Sequence, residues 1–192
     1  MSNVPKRGLA IDWETSGYSV PDYAKSHQGI SFGALIFDIA TFEIVETLYL
    51  EIKFDDSKYK WDDGAEKVHG LSRAHLEAHG VTQKEAAERL ATLVLKYIGT
   101  DKIVALGHRV VFDISFTDQL METVGFEFNW DPIKLDSAAI ALTFLGVSWS
   151  DELFEMMGMP PRDKHDAMED IVYTLSSVKA IRDYFIAGLA ST

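Results

Sequence analysis

The sequence contains no cysteine among its 192 residues, and this absence narrows the chemistry open to the protein. Without thiols there is no disulfide framework and no thiolate metal site, so any metal ion must be held by oxygen or imidazole ligands. No apolar run approaches the roughly 20 residues that a membrane-spanning helix requires. Residues 1–8 also lack the apolar core of a secretory signal. These absences predict a cytoplasmic protein with no membrane partner.

Positive charge is scarce as well, because 18 Lys and Arg residues stand against 30 Asp and Glu residues, for a net charge of −12. This balance disfavours a long electrostatic footprint on nucleic acid, since broad duplex binding needs a basic face that releases counterions. It does not exclude a site that grips one strand end, because bound divalent cations reverse the field of clustered carboxylates. Most of the acidic residues are expected to serve solubility only.

The order of apolar segments predicts one α/β domain over residues 1–192, a length that suits a single domain. Three strands come first and are followed by helices that alternate with two further strands. This order predicts a mixed sheet, in which an antiparallel meander joins parallel strands. The predicted strands are residues 6–12, 30–39, 43–52, 102–106 and 133–135, with polar loops at 16–29 and 55–64. The predicted helices are residues 72–78, 82–99, 111–124, 137–145, 150–157 and a C-terminal helix after the Pro160-Pro161 break.

Two acidic residues, Asp12 and Glu14, stand two residues apart at the end of the first predicted strand. Strand periodicity puts both carboxylates on one face, with Cα atoms about 6–7 Å apart, and sends Trp13 to the other face. Two such carboxylates repel each other unless a cation joins them, and Mg²⁺ prefers clusters of oxygen ligands. An isolated Asp-x-Glu is common, however, so the pair by itself predicts only a solvated strand end.

Three more polar residues lie near the ends of predicted elements. Asp113 falls in a first helical turn, where the helix dipole favours any acidic residue. His165 follows the Pro160-Pro161 break, and Asp170 lies about one turn into the C-terminal helix. Five residues along a helix make about 140° of rotation and 7.5 Å of rise, so His165 and Asp170 cannot be adjacent on one stripe and are expected to flank a site. Alone, Asp113 would be an ordinary cap acid and His165 a surface histidine.

In their order along the chain, these motifs resemble the DnaQ-like exonucleases of the DEDDh class, which have a ribonuclease H-like fold. The first motif is matched by residues 12–17 (DWETSG), the second by 107–113 (GHRVVFD) and the third by 165–170 (HDAMED). Residues 30–35 and 69–72 agree with a strand and a loop of the same family. Each motif is weak alone, but together they extend the resemblance from Gly8 to about Phe185.

The resemblance implies a mixed five-stranded sheet flanked by helices and a 3′→5′ exonuclease that uses two Mg²⁺ or Mn²⁺ ions. It would release 5′-mononucleotides from nucleic-acid 3′ ends, with single-stranded DNA slightly favoured over RNA. A homodimer and association with a polymerase are both open. The implied catalytic residues are the four metal ligands Asp12, Glu14, Asp113 and Asp170 and the general base His165. The implied substrate-binding residues are Thr15, Gly17, Tyr18, His69, Arg109 and Phe112.

The second motif departs from the family at Arg109, where an asparagine is usual, and an arginine there could meet a phosphate. Tyr18 replaces a frequent leucine; its ring either stacks on a base or packs on the domain. Arg109, Arg162 and Lys164 are predicted to form a small basic rim, and Lys25 and His27 could touch substrate.

The other histidines and several aromatic residues are predicted to have structural roles only. His75 and His79 are expected to be ordinary surface or core histidines, and His108 is expected to pack beneath the site. The aromatic residues Trp130, Phe144 and Trp149 are predicted to lie in the core.

Two alternative functions are open at this point. One is a non-catalytic nucleic-acid-binding or polymerase-associated adaptor module of the same fold, which would be expected to lack metal ligands. The other is a ribonuclease H-type nuclease that cuts internally, against which the His-x4-Asp spacing argues.

Overall fold

The computed structural model describes residues 5–18 and 23–191, and its centre is a five-stranded sheet in the order β3-β2-β1-β4-β5. The strands are β1 (Arg7–Thr15), β2 (Gly29–Asp38), β3 (Ile44–Glu51), β4 (Val104–Gly107) and β5 (Leu135–Asp136). The pairs β1/β2 and β2/β3 are antiparallel, whereas β1/β4 and β4/β5 are parallel. The predicted mixed five-stranded sheet is therefore confirmed.

Helices surround this sheet, and the structure contains the side-chain caps that the sequence predicted at Ser72, Thr82 and Asp136. The helices are α1 (Tyr23–Ser26), α2 (Asp63–His69), α3 (Arg73–His79), α4 (Gln83–Tyr97), α5 (Val111–Glu122), α6 (Ser137–Leu145), α7 (Ser150–Met156) and α8 (Ala167–Ala190). The hydroxyl of Ser72 accepts a hydrogen bond from the backbone N–H of His75 at 3.2 Å, and that of Thr82 accepts one from Glu85 at 3.1 Å. Each cap satisfies an N–H group that the first turn leaves free.

Two short helices lie where the sequence predicted only loops. The Asp62 carboxylate caps α2 by accepting a hydrogen bond from the N–H of Gly64, and Gly70 ends this helix with a φ of 77°. Both devices are local, and α2 carries too few apolar residues to show a helical period. Helix α1 lies inside the loop predicted at residues 16–29. Residues 19–22 of that loop lie outside the described part of the chain.

The two faces of the sheet are covered by different helices. Side chains of α4 and α5 pack on one face against Leu9, Ile11 and Trp13 of β1. Helix α8 covers the other face, where Ala10, Leu35, Phe37 and Leu106 contact Ile171, Leu175 and Val178. Alternate residues of β1 thus face different helices, as the twofold period of a strand requires. Among the described residues, no helix is both long and apolar enough to cross a membrane.

Candidate active site

The position of Asp12 and Glu14 follows from the alternation along β1. Trp13 belongs to the core beneath α4 and α5, so its two neighbours point to the opposite face, on the side that α8 covers. In the pairing with β2, Asp12 lies opposite Gly33 and Glu14 lies opposite Ser31. The two acids therefore share one face of β1, as the strand periodicity predicted, and the structure shows that this face lies toward the first turn of α8.

Gly33 permits the first turn of α8 to reach the sheet. A Cβ atom at this position would lie 2.5 Å from the carbonyl oxygen of Ala167 and 2.6 Å from the Cα of Met168. Real Cβ atoms do not approach other atoms so closely, so no side chain fits here without moving the helix. The absence of a side chain in β2 thus brings Asp170, one turn into α8, to the acids of β1.

His165 contacts Asp170 directly, which the sequence interpretation did not expect. Its Nδ1 lies 3.3 Å from Asp170 Oδ2. The helical rotation used in the prediction does not apply, because α8 begins at Ala167 and Asp166 is its N-cap. The backbone N–H of His165 donates to the carbonyl of Val68 at the end of α2. An extended segment anchored on α2 therefore folds the imidazole back over the helix.

Asp113 reaches the same site from the first turn of α5. The backbone N–H of Trp13 donates to Oδ1 of Asp113 at 3.2 Å, while the buried Oδ2 of Asp113 has no hydrogen-bond partner among the described residues. Gly107 leaves room for this carboxylate, since a Cβ there would lie 3.2 Å from Oδ2. The Trp13 indole also donates to Thr117 of α5 at 3.0 Å. These two bonds fix α5 to β1 and hold Asp113 beside Asp12.

These residues line a cavity of about 160 Å³ and have altered acidities. Burial, followed by the charges of Asp113 and Glu14, raises the pKa of Asp12 well above its ordinary value. Burial and the charge of Asp170 raise the pKa of Glu14 to about 7. Burial also raises the pKa of Asp113. The carboxylates are thus crowded in a poorly hydrated space, where a cation would favour their charged forms.

The donor atoms fit a divalent metal ion. One ligand atom each from Glu14, His165 and Asp170 lies within 4.8 Å of the others. Asp12 lines the same cavity, and the unpartnered Oδ2 of Asp113 adds a further oxygen. Several carboxylate oxygens with one imidazole suit Mg²⁺ or Mn²⁺, whereas no thiolate is available for softer metals. The imidazole is also close enough to exchange a proton with a molecule bound among these groups.

Arg162 does not lie on an exposed rim, contrary to the sequence prediction. Its side chain is only 4% exposed and forms ion pairs with Asp170 and Asp151. The guanidinium lies 4.8 Å from the ring centroid of Phe154. A buried arginine needs acidic partners, and the first turns of α7 and α8 supply one each. No local sequence pattern indicates these ion pairs, because the three residues meet only in the folded chain.

Arg109 and Trp149 form a pair on the outer edge of the cavity. The guanidinium lies 4.2 Å from the centroid of the indole ring, and Trp149 is 59% exposed. The prediction that Trp149 lies in the core is therefore wrong: α7 starts at the next residue and buries Leu153 and Phe154 instead. Each partner adjoins a residue of the cavity wall, His108 and Ser150 respectively.

The backbone around Arg109 is held in an uncommon conformation. Arg109 has a φ of 59°, a left-handed value that few residues other than glycine adopt. The Asp136 carboxylate stabilises it by accepting hydrogen bonds from the N–H groups of Arg109 and Val110, each at 3.2 Å. The same carboxylate caps α6, which confirms the predicted cap and adds a role that the sequence did not reveal.

Tyr18 and Phe112 form an aromatic pair, of which Phe112 lines the cavity. Tyr18 is 62% exposed, and its ring centroid lies 5.8 Å from that of Phe112. Phe112 lines the cavity, and its ring centroid lies 4.9 Å from that of Phe116 in the core. Both alternatives for Tyr18 therefore have a structural basis, because its ring packs against Phe112 and is also largely exposed.

Thr15, Gly17 and His69 are buried around the turn that follows β1. The hydroxyl of Thr15 donates to the carbonyl of Gly17 at 3.0 Å, and His69 Nδ1 accepts from the N–H of Leu71 at 3.0 Å. Burial lowers the pKa of His69. A Cβ on Gly17 would lie 2.5 Å from the ring of His27, which is buried against the turn. His27 therefore packs inside the domain, contrary to its predicted contact with substrate.

The structure confirms some of the predictions for the other histidine and aromatic residues and contradicts one of them. His108 is partly buried beside the cavity, with Nδ1 2.9 Å from the hydroxyl of Ser137, so its predicted place is confirmed. His75 lies on the surface with Nε2 2.7 Å from Glu51 Oε2. Trp130 packs against the core as predicted. Phe144 is half-exposed, and its ring centroid lies 4.5 Å from that of Phe185, so its predicted core position is wrong.

Comparison with known proteins agrees with this geometry. The family model RNase_T, described as "Exonuclease", matches residues 9–177, which is most of the chain. An oligoribonuclease of Burkholderia lata is 26% identical over 139 residues, which cover 71% of this chain and 65% of that protein.

Solved structures of Escherichia coli exonuclease I have a similar fold. A zinc-bound form of its complex with single-stranded DNA has a TM-score of 0.75 at 20% identity, covering 95% of this chain and 43% of that one. The complex with a dT13 oligonucleotide has a TM-score of 0.74 at 21% identity, covering 92% of this chain and 41% of that one. The chain thus spans under half of each exonuclease I chain and about two thirds of the oligoribonuclease.

Proposed function

The chain belongs to the RNase_T exonuclease family, and we propose that it removes 5′-mononucleotides from nucleic-acid 3′ ends by phosphodiester hydrolysis. One observation carries the proposal: side chains from β1, α5 and the start of α8 converge on a single cavity beside an imidazole. An adaptor module has no use for such a cluster, since buried carboxylates oppose folding unless they bind something.

Two Mg²⁺ or Mn²⁺ ions are proposed as cofactors. Asp12, Glu14 and Asp170 would hold one, and Asp12 together with Asp113 would hold the other. When bound, such a pair supplies a nucleophile at neutral pH and stabilises the charge on the attacking and leaving oxygens. The raised pKa values of Asp12, Glu14 and Asp113 support this assignment, because a divalent cation would favour the charged forms of these crowded, buried carboxylates.

His165 is proposed as the general base. Its side chain is 38% exposed, so water can reach it, and Nδ1 is oriented by Asp170. The hydrogen bond to Asp170 raises the pKa of His165 above its ordinary value. An imidazole held in this way can take a proton from the attacking water with its other nitrogen and release it to solvent. Asp170 would thus both hold a cation and orient the base.

The aromatic pair Tyr18–Phe112 and the cation–π pair Arg109–Trp149 are proposed to hold the 3′ end of the substrate strand. Tyr18 and Phe112 would stack on the terminal base, which any base tolerates because each has a π face. Arg109 would meet the phosphate of the next nucleotide, a role that its planar fork suits, while Trp149 stacks on that base. Thr15, Gly17 and His69 would shape the turn beside the terminal sugar.

The substrate is proposed to be a short single-stranded end. The sequence resemblance favours DNA slightly over RNA, whereas the B. lata relative is named an oligoribonuclease. Discrimination depends on a contact to the 2′-hydroxyl, so matched DNA and RNA oligonucleotides should be digested in parallel. The net charge of −12 favours short substrates, since few phosphates can be neutralised at once.

The proposal is tested with 5′-labelled oligonucleotides in Mg²⁺ or Mn²⁺. Stepwise shortening from the 3′ end with release of mononucleotides supports it; internal fragments would indicate a ribonuclease H-type nuclease, and intact strands an adaptor. Asp12→Asn keeps the side-chain volume and should lower turnover by at least about 1,000-fold. Asp63→Asn, on the exposed start of α2, is the matched control and should leave turnover unchanged.

A further inference from the structure

Arg162 is a buried cation within the carboxylate cluster, and the proposed reaction gives it no task. It lies in the segment between α7 and α8, yet its side chain is only 4% exposed. Burying a guanidinium is costly unless acidic groups surround it. Its three neighbours account for the burial: Asp170 contacts Nη1, Asp151 contacts Nη2, and the ring of Phe154 lies beneath the guanidinium.

Both oxygens of Asp170 are occupied by cationic groups of the chain itself. Oδ1 is paired with Arg162, and Oδ2 lies 3.3 Å from Nδ1 of His165. A divalent cation that binds this carboxylate must compete with at least one of them. The imidazole can lose its charge, but a guanidinium stays protonated at every pH at which the protein is folded. Arg162 is therefore the permanent competitor for Asp170.

The second partner of Arg162 differs from the first in its surroundings. Asp151 is 76% exposed, whereas Asp170 is buried. The hydrogen bond from Arg162 lowers the pKa of Asp151, so this carboxylate stays charged and able to hold the guanidinium. The five donors of the arginine form a rigid fork that can keep one carboxylate while releasing another. Phe154 offers a surface on which the plane can shift without entering water.

We propose that Arg162 is a resident counter-ion of the metal-free site, which a divalent cation displaces from Asp170 and which Asp151 then retains. Arg162 thereby sets the metal affinity of the site and keeps the carboxylate cluster folded when no metal is bound. The inference rests on the proposed function in one respect, namely that Asp170 is a metal ligand.

The test measures Mn²⁺ binding alone, by isothermal titration calorimetry of the whole chain without nucleic acid. Arg162→Gln removes the competitor and should tighten Mn²⁺ binding by about tenfold, the value of one charge-assisted contact. Asp151→Asn removes the alternative partner, holds the guanidinium on Asp170 and should weaken binding by about threefold. The two variants thus shift the affinity in opposite directions.

Two controls separate this displacement from a general effect of charge. Lys164→Gln removes the same positive charge from an exposed side chain two residues away and should change affinity much less than Arg162→Gln. When both substitutions are combined, Asp151→Asn should no longer weaken Mn²⁺ binding relative to Arg162→Gln alone. Without Arg162 there is no guanidinium for Asp151 to retain. If the two substitutions instead add independently, or if Arg162→Gln matches Lys164→Gln, the inference is overturned.

Thermal unfolding supplies a second measurement and checks that the variants fold. In EDTA, Arg162→Gln should unfold at a lower temperature than the wild type, because Asp170 loses its partner. In saturating Mn²⁺ that gap should close, since at one ion concentration the variant that binds Mn²⁺ more tightly gains more folding stability from it. A difference in unfolding temperature that persists in Mn²⁺ would make Arg162 a purely structural residue and overturn the inference.

The binding results also separate failure of the inference from failure of the proposed function. If neither the wild type nor any variant binds Mn²⁺, the metal assignment of the proposed function fails together with the inference. If the wild type binds Mn²⁺ and the variants bind it with unchanged affinity, only the inference is overturned.

Discussion

Nδ1 of His165 lies 3.3 Å from Oδ2 of Asp170, although the two residues would stand on different sides of a continuous helix. The contact exists because α8 begins only at Ala167, after the Asp166 cap, and because the N–H of His165 is bonded to Val68 of α2. An imidazole held by a loop can approach the carboxylate of a helix that it does not belong to. This arrangement brings the proposed base and a proposed metal ligand together.

Replacement of His165 tests the proposed base. His165→Gln keeps a polar side chain but cannot take up a proton, so we expect kcat to fall by about 100- to 10,000-fold in saturating Mn²⁺. Affinity for Mn²⁺, measured by calorimetry, should change far less than kcat. His75→Gln, a surface histidine outside the cavity, is the matched control. A His165→Gln enzyme that kept a third of the wild-type rate would rule out the assignment.

The acidity of Glu14 predicts how metal-free stability depends on pH. Its pKa is raised from 4.5 to about 7, chiefly by burial, so the folded state binds the carboxyl proton more tightly than the unfolded chain does. The stabilisation from this proton is complete below the unfolded value of 4.5 and is lost as the pH rises through about 7. A glutamine at this position does not ionise, so Glu14→Gln removes the loss of stability at high pH.

Melting curves in EDTA should therefore diverge with pH. Near pH 4.5 the wild type and Glu14→Gln should unfold at similar temperatures, and at pH 8 the variant should be more stable by about 1–3 kcal/mol, or several degrees. Glu152→Gln, which changes an exposed acid of α7, should show no such trend. A stability difference that stays constant from pH 4.5 to 8 would contradict the raised pKa.

Gly33 offers a test of how the fold sets the site. Gly33→Ala places a Cβ 2.5 Å from the backbone of Ala167, so α8 must shift away from β2 and carry Asp170 with it. We expect the free energy of unfolding to fall by about 1–3 kcal/mol. We also expect the exonuclease activity to fall, because Asp170 moves away from the acids of β1. In Gly188→Ala the added methyl meets no atom within 4 Å in the part of the chain that the structure describes, and the helix should be unchanged or slightly stabilised. Equal stability of the two variants would show that α8 does not depend on this contact.

The exposed Trp149 ring predicts a dependence on substrate length. Trp149→Ala should raise KM for oligonucleotides by about 5- to 100-fold, since stacking on one base contributes about 1–3 kcal/mol. The p-nitrophenyl ester of thymidine 5′-monophosphate has no second nucleotide, so its hydrolysis should be unaffected. Phe144→Ala, another half-exposed aromatic, is the control. Parallel losses on both substrates would place Trp149 at the terminal nucleotide or in the packing of α7.

Much of the fold could be predicted because the signals are local. The apolar run before Asp12, the caps at Ser72, Thr82 and Asp136, and the stripe on α8 each depend on neighbours in sequence. Helix α2 escaped prediction because a single side-chain cap and a left-handed glycine, rather than an apolar period, fix its ends. The sequence places Trp149 in the core incorrectly, because composition alone does not tell which side of a helix start meets solvent.

For the site, the sequence by itself determined which residues carry the chemistry: Asp12 and Glu14 share a face because a strand alternates, and the three motifs lie at the ends of elements. Only the tertiary structure decided how they meet. Gly33 admits α8 to the sheet, α2 fixes the loop that turns His165 back, and Arg162 is drawn into the cluster by acids of two different helices. These contacts join residues distant along the chain, and their strength depends on burial, which no local pattern encodes.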